Sequence, residues 1–104
     1  MKYLKAVSEY DALVLESESK LVVIDFTATW CPPCRMIGPI FEQIAAENPD
    51  VICVKVDVDD ANEIAEKCGI QAMPTFQFYK GGKMVHVLKG ADQAGLRAKI
   101  NELK

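Results

Sequence analysis

Two cysteines, Cys31 and Cys34, stand three residues apart in the segment TWCPPCRM, with two prolines between them. They follow a near-continuous apolar run at 20–28, which is typical of a strand covered on both faces, and precede apolar residues at helical spacing over 33–47. Because Pro33 suits a first helical position, Cys31 is predicted just before the helix and Cys34 in its first turn. A helix N-terminus favours a thiolate, so Cys31 is predicted to attack disulfides and the core-facing Cys34 to resolve the mixed disulfide.

Two other uses of a close cysteine pair fit the sequence less well. A structural disulfide across four residues would remove only about 2 kcal/mol of chain entropy, against about 3 kcal/mol for a fifteen-residue loop. A zinc ion would need two further ligands, and the candidates Cys53, Cys68 and His86 form no second close pair. The pattern therefore predicts redox chemistry and no metal site.

The composition is that of one ordinary globular domain over residues 1–104. Hydrophobic residues make up 50% of the chain and charged residues 26%, so a single core can carry the fold. The net charge of −3 argues against nucleic acid or an anionic membrane as a partner. The N-terminal residues do not read as a secretory signal, no apolar run could span a membrane, and close cysteines then indicate a reducing, cytoplasmic location.

The hydrophobic pattern predicts the element order β-α-β-α-β-α-β-β-α. Helices between the early strands require parallel, right-handed crossovers, and a two-residue hairpin at Gly81-Gly82 adds an antiparallel edge. The prediction is an α/β fold with a central, mixed, five-stranded sheet and helices on both faces. The predicted strands cover residues 2–6, 20–28, 51–58, 74–80 and 83–89.

Four helices are predicted from their periodicity and from residues that could cap them. The helix over 33–47 begins at Pro33. The other three are a helix over 9–18 capped by Ser8 with Asp11 as its capping-box acid, a short helix over 61–67 capped by Asp59 or Asp60, and a last helix capped by Asp92 and running through Ile100 and Leu103.

The chain resembles the thioredoxin family over nearly its whole length, in the segments DFTATWCPPCRMIGPIFEQIA, VKVDVDD, MPTFQFYKGGK and LKGAD. The resemblance implies a thioredoxin fold and a reductase of disulfides in client proteins that works through a reversible Cys31–Cys34 disulfide. It implies no cofactor bound to the chain, because a flavin-containing thioredoxin reductase would return the electrons from NADPH.

The resemblance also implies roles for residues outside the cysteine pair. Asp25 is expected to be a buried carboxylate that accepts a proton from Cys34, and Lys55 to be the lysine that pairs with this acid. The alternatives are an outward Asp25 and a solvent-facing Lys55. Pro74 is expected to follow a cis bond, with the Met73 backbone offered to an extended substrate segment. The residues expected to form an exposed apolar surface for substrates around Cys31 are Trp30, Pro32, Pro33, Ile70, Met73, Pro74, Gly90 and Ala91.

Three features leave alternatives open. Pro32 stands where the family motif WCGPC has glycine; its ring fixes φ and removes an N–H near the sulfurs, so an oxidase or isomerase bias is one alternative. A non-catalytic thioredoxin-fold binding module is another, and it would keep its function after Cys31→Ser. Cys68 is either an inert surface thiol or a regulatory one, so a monomer is predicted with a Cys68-linked dimer as the alternative.

Overall fold

A four-stranded sheet lies at the centre of the protein, in a computed structural model that describes residues 1–104. The parallel pair β1 (Val22–Thr27) and β2 (Ile52–Asp57) is joined through a helix, as predicted, whereas β3 (Thr75–Lys80) runs antiparallel to both β1 and β4 (Lys83–Lys89). The sheet is therefore mixed. Its strands lie in the spatial order β2-β1-β3-β4.

Four helices cover the two faces of this sheet: α1 (Val7–Glu16), α2 (Pro32–Glu47), α3 (Asn62–Lys67) and α4 (Gln93–Leu103). Successive side chains of a strand point to opposite faces, so each strand contributes to two cores. Ile24 and Phe26 belong to a cluster with residues of α1 and α3, and Val23 belongs to a second cluster with residues of α2 and α4. Burial on both faces explains why the run at 20–28 is almost continuously apolar.

The N-terminal segment differs from the prediction of an edge strand over residues 2–6. It forms a single parallel bridge between Tyr3 and Lys55, so the sheet has four strands rather than five. The Leu4 N–H donates to the carbonyl oxygen of Lys55, and the Lys55 N–H donates to that of Lys2, both at 2.9 Å. The pairing with β2 ends there, because the chain turns into α1 at Val7, soon after the buried Leu4.

The predicted cap of the first helix is wrong. The helix begins at Val7, one residue before Ser8, and its N-cap is Ala6. Glu9 supplies the polar contact, because its Oε1 accepts a hydrogen bond from the Ala6 N–H at 3.1 Å. The capping-box acid is thus Glu9 rather than Asp11, in the position three residues after the N-cap.

The predicted cap of the third helix is also wrong. Helix α3 begins at Asn62 with Ala61 as its N-cap and has no side-chain cap. The preceding turn is held instead by the Asp57 carboxylate, whose Oδ1 accepts from the N–H groups of Asp59 and Asp60 at 2.9 and 3.3 Å. Three aspartates in close succession allow several turn geometries, and only tertiary packing selects among them.

The C-terminal elements follow the sequence prediction. Gly81 and Gly82 form the hairpin turn with φ of 67° and 80°, values that glycine adopts without a steric cost. Asp92 caps α4, since its Oδ1 accepts from the Gly95 N–H at 2.9 Å. None of the four helices combines the length and the apolar character that crossing a membrane requires.

Candidate active site

Cys31 and Cys34 are joined by a disulfide at the N-terminus of α2, with their Cα atoms 5.3 Å apart. Cys31 is the N-cap, and the helix begins at Pro32, one residue before the predicted Pro33. Two successive prolines are accommodated because the first helical positions need no N–H of their own. Both cysteines are buried, with 5% and 2% of their surface exposed.

The first turn of α2 offers few hydrogen-bond donors, because Pro32 and Pro33 have no N–H. The Cys34 N–H donates to Sγ of Cys31 at 3.4 Å, and the Arg35 N–H donates to the carbonyl oxygen of Cys31 at 3.1 Å. The backbone donor at the Cys31 sulfur is thus that of its partner cysteine. This arrangement favours negative charge on Cys31 rather than on Cys34.

The segment at Met73 and Pro74 lies against the disulfide. Their peptide bond is cis, as expected, and the Met73 carbonyl oxygen lies 3.7 Å from Sγ of Cys31. Met73 packs on the small cluster formed by Ala28 and the two cysteines. The Pro74 carbonyl oxygen accepts a hydrogen bond from the Gly90 N–H at 2.9 Å, which ties this segment to the end of β4.

The predicted substrate-binding residues differ in exposure. Trp30 is 60% exposed, and its Nε1–H donates to Oδ2 of Asp59 at 2.8 Å, so Asp59, predicted as a helix cap, orients this indole instead. Pro74 is buried rather than exposed, because it leads directly into the central strand β3. Pro32 and Pro33 are exposed, whereas Ile70, Met73, Gly90 and Ala91 are half-buried.

Asp25 is buried on the face of the sheet that α2 covers. It is 1% exposed, and neither of its carboxylate oxygens has a hydrogen-bond partner. Burial raises the pKa of Asp25 to about 7, with the positive charge of Lys55 opposing the rise and the negative charge of Glu42 adding to it. The outward position considered for Asp25 is therefore wrong, and the group can change protonation state near neutral pH.

Lys55 is buried too, but it does not pair with Asp25 as expected. It is the in-register neighbour of Asp25 on the parallel strand β2, yet its Nζ lies 2.8 Å from Oε2 of Glu42 on α2. A signal for Glu42 was present in the sequence: Cys34, Gly38 and Glu42 recur every four residues and so share one face of the helix.

A cavity of about 220 Å³ opens beside these groups, between α2 and the ends of β1 and β2. Its walls include Gly38 of α2, Thr27 of β1, Lys55 of β2 and the ring of Tyr3. A water molecule occupies about 30 Å³ in the liquid, so the cavity is large enough for several. Solvent can therefore approach the Lys55 side chain, next to the buried carboxyl, from outside.

The other two cysteines lie away from the disulfide. Cys53 packs on the α2 and α4 cluster, and burial raises the pKa of its thiol to about 12. Cys68 is half-buried at the C-cap of α3 and packs on the α1 and α3 cluster. Burial raises the pKa of Cys68 as well, so neither thiol is poised to react at neutral pH.

Comparison with known proteins finds relatives that match nearly the whole length of the chain. The family model described as Thioredoxin matches residues 2–102. The thioredoxin of Geodia cydonium is 50% identical over 105 residues, covering 100% of this chain and 99% of the relative.

Two solved structures extend the likeness to three dimensions. The X-ray structure of Fasciola hepatica thioredoxin is similar with a TM-score of 0.95 at 43% identity, over 100% of both chains. The second structure comes from work on the structural basis of the thiol resolving mechanism in yeast mitochondrial 1-Cys peroxiredoxin via glutathione/thioredoxin systems. It is similar with a TM-score of 0.92 at 36% identity, over 99% of this chain and 95% of the other. All four strands and all four helices described above lie within these matches.

Proposed function

Because the chain belongs to the thioredoxin family, we propose that Cys31 is the attacking thiol and Cys34 the resolving thiol of its reaction. The protein is a thioredoxin-type disulfide reductase with Cys31 and Cys34 as its redox pair. The observation that supports the division of roles is the position of Cys31 at the N-cap of α2, with a backbone N–H at its sulfur. Cys34 lies inside the first turn of the same helix and is 2% exposed.

The proposed reaction moves two electrons from the reduced cysteine pair to a client disulfide. The Cys31 thiolate attacks one client sulfur, forms a mixed disulfide, and releases the other client sulfur as a thiolate that takes a proton. Cys34 then loses its proton and attacks Sγ of Cys31, which forms the Cys31–Cys34 disulfide and releases the second client sulfur as a thiolate that takes a proton. The client is reduced by two electrons and the pair is oxidised by two.

Asp25 is proposed to accept the proton that Cys34 loses in the second step. Its pKa of about 7 keeps the carboxylate and the acid both populated at neutral pH, which suits a group that must take up a proton and release it again. The cavity beside Lys55 supports the exchange of this proton with solvent. In Asp25→Asn the resolving step should slow and lose its pH dependence near 7, while the first attack by Cys31 remains.

The substrate is proposed to bind as an extended segment beside the disulfide. The backbone of Met73, half-buried and next to Cys31, would pair with it like an added strand, and the exposed ring of Trp30 would supply apolar contact. We further propose a flavin-containing thioredoxin reductase, supplied with NADPH, as the partner that returns the electrons. A peroxiredoxin of the kind named with the yeast structure is a client to test. The cytoplasmic location and the monomeric state stay predictions.

Pro32 is proposed to tune the potential of the pair within this function. Its ring occupies the first helical position, where a glycine would leave the loop free and add an N–H. Each 30 mV in potential corresponds to about 1.4 kcal/mol between the dithiol and disulfide forms. A redox titration of the natural chain beside Pro32→Gly decides between a reductase and an oxidase or isomerase bias, and equal potentials would end the proposal for Pro32.

The test of the function is the reduction of insulin disulfides with NADPH and thioredoxin reductase. Cys31→Ser should abolish turnover, and Cys34→Ser should trap a mixed disulfide with the client that dithiothreitol releases. Cys68→Ser is the matched control, because it removes a thiol of the same chain that lies away from the disulfide, and it should retain full activity. Trapping by Cys31→Ser instead of Cys34→Ser would reverse the roles, and undiminished function in Cys31→Ser would point to a binding module.

A further inference from the structure

Two acids compete for one buried ammonium group beneath the cysteine pair. Asp25 and Lys55 are in-register neighbours on parallel strands, so their side chains leave the sheet on the same face. The Lys55 ammonium nevertheless reaches Glu42 at 2.8 Å and leaves both oxygens of Asp25 without a partner. The two in-register residues thus share no hydrogen bond, because the lysine bonds to the helix above the sheet instead.

Three features keep the Lys55 ammonium next to Glu42 rather than next to Asp25. The first is the ion pair itself. The second is the ring of Tyr3, whose centroid lies 5.8 Å from Nζ of Lys55, within range of a cation–π contact. The third is Gly38, where an added Cβ would come within 3.3 Å of Nζ, so that the absence of a side chain leaves room for the lysine against the helix.

The competition favours Glu42 for a physical reason. Its side chain is 51% exposed, so water solvates its charge and ionisation costs little. Contact with Lys55 also holds the pKa of Glu42 below its usual range. Ionising Asp25 would instead place a second charge in an apolar site, which burial opposes.

We propose that Glu42 is a positioning residue, which holds the Lys55 ammonium away from the Asp25 carboxyl and so keeps the proton affinity of that carboxyl high enough to take the proton from Cys34. The inference rests on the proposed function, because it concerns the same proton transfer from Cys34. The charged groups that act on Asp25 are Lys55 from β2 and Glu42 from α2. The proposed proton transfer adds the Cys34 thiol of α2 in the reduced protein, while β3 presents the apolar Phe76 in register with Asp25. Lys55 and Glu42 are thus the charges that the experiment must vary.

The first test is Glu42→Gln, read by carbon-13 NMR titration of the Asp25 carboxyl in the reduced protein. The freed ammonium should turn to Asp25 and favour its charged form. An opposite charge at close range lowers the pH midpoint of a carboxyl titration by about one pH unit or more. The proton affinity of Asp25 should therefore fall about tenfold. The pH–rate profile for resolution of a mixed disulfide should move by the same amount, and Glu42→Asp, which keeps the charge, should restore most of the natural midpoint.

Glu47→Gln is the matched control. Glu47 lies on the same helix and forms an ion pair of the same length, 2.8 Å, with Arg97 at the far end of α2. The substitution changes the charge of the chain by the same amount, so an unmoved Asp25 midpoint in this variant excludes a general effect of net charge. A midpoint that moves equally in both variants would overturn the proposal.

A second background separates positioning from direct repulsion between the two acids. In Lys55→Met, adding Glu42→Gln should change the Asp25 proton affinity less than twofold, because no ammonium remains to be released. The same tenfold change in that background would mean that Glu42 acts through its own charge, which overturns the proposal. Insulin reduction by the natural chain tests the proposed function separately: an active protein whose Asp25 midpoint is unmoved in Glu42→Gln refutes only the role of Glu42.

Discussion

Each face of the sheet holds a buried polar cluster, and the two clusters differ in their hydrogen bonding. Under α2, both oxygens of Asp25 are unpaired. Under α1 and α3, the Tyr79 hydroxyl donates to Oε1 of Gln77 at 2.7 Å and lies 2.6 Å from the Tyr10 hydroxyl. The chain of bonds ends where Nε2 of Gln77 donates to the carbonyl oxygen of Cys68 at 3.4 Å.

The difference shows what an unpaired buried group does for a redox protein. A buried polar group without partners costs free energy, but its protonation state is easily changed, and Asp25 titrates near neutral pH. The paired cluster has the opposite properties. Burial raises the pKa of Tyr10 and of Tyr79 above their ordinary range, so both stay neutral and contribute to stability alone.

The largest expected effect is on stability in Asp25→Asn. The pKa of Asp25 rises from 3.8 to about 7 on folding, so the folded chain binds more protons between these values, and the free energy of unfolding falls as pH rises from about 4 to about 7. Asparagine does not ionise, so the variant avoids this loss of stability. The difference of about three pH units between the folded and unfolded pKa values then corresponds to a gain of about 4 kcal/mol at pH 8 and almost nothing at pH 4. Urea unfolding at several pH values measures this difference. The exposed Asp50→Asn is the control, and an equal gain at both pH values would contradict burial as the cause.

The next effect is a loss of stability in Tyr79→Phe, on the paired face. Removal of the hydroxyl leaves the buried Oε1 of Gln77 without a donor, and such an unpaired group lowers the free energy of unfolding by about 1–3 kcal/mol. We expect a loss of about 2 kcal/mol that does not depend on pH between 5 and 8. Tyr3→Phe makes the same change on an exposed ring and should cost less than about 0.5 kcal/mol. Equal stability of the two variants would mean that the hydroxyl chain contributes nothing.

The smallest expected effect is a difference in thiol reactivity between Cys31 and Cys68, the cysteines associated with the two faces. Cys31 stands at a helix N-terminus, whereas Cys68 stands at a helix C-terminus and its pKa is raised by burial. In the reduced protein at pH 7, iodoacetamide should modify Cys31 at least tenfold faster than Cys68, a ratio of about 1.4 kcal/mol. Peptide mapping by mass spectrometry assigns the two sites, and Cys31→Ser identifies the fast phase. Equal rates would remove the helix end as the source of reactivity.

Local patterns predicted most of the elements that carry the site. The β-branched run at 20–28 predicted a strand buried on both faces, and the two prolines placed the cysteines at the start of a helix to within one residue. The double glycine and Asp92 fixed the C-terminal hairpin and helix, because each acts through backbone geometry within four residues. Predictions of this kind succeed where the decisive interaction is short in sequence.

Predictions failed where several neighbours could serve the same purpose. Ser8 and Glu9 both suit a helix start, but the helix begins at Val7, with Ala6 as its N-cap and Glu9 as the acid that accepts from the Ala6 N–H. Asp57 and Asp59 both suit a turn, and the position of Trp30 gave Asp59 a different partner. Propensity alone ranks such candidates almost equally, so a contact from a distant segment decides between them.

The amino-acid sequence by itself determined the chemistry of this protein, since the type and spacing of Cys31 and Cys34 and the two prolines at the start of the helix place a reactive pair at a helix N-terminus. Only the tertiary structure decided which partner Lys55 takes, 13 residues away in the chain at Glu42 rather than beside it on the sheet at Asp25. The physical reason is that the free energy of an ionised group depends on how much water it keeps, and that quantity is set by the packing of helix against sheet.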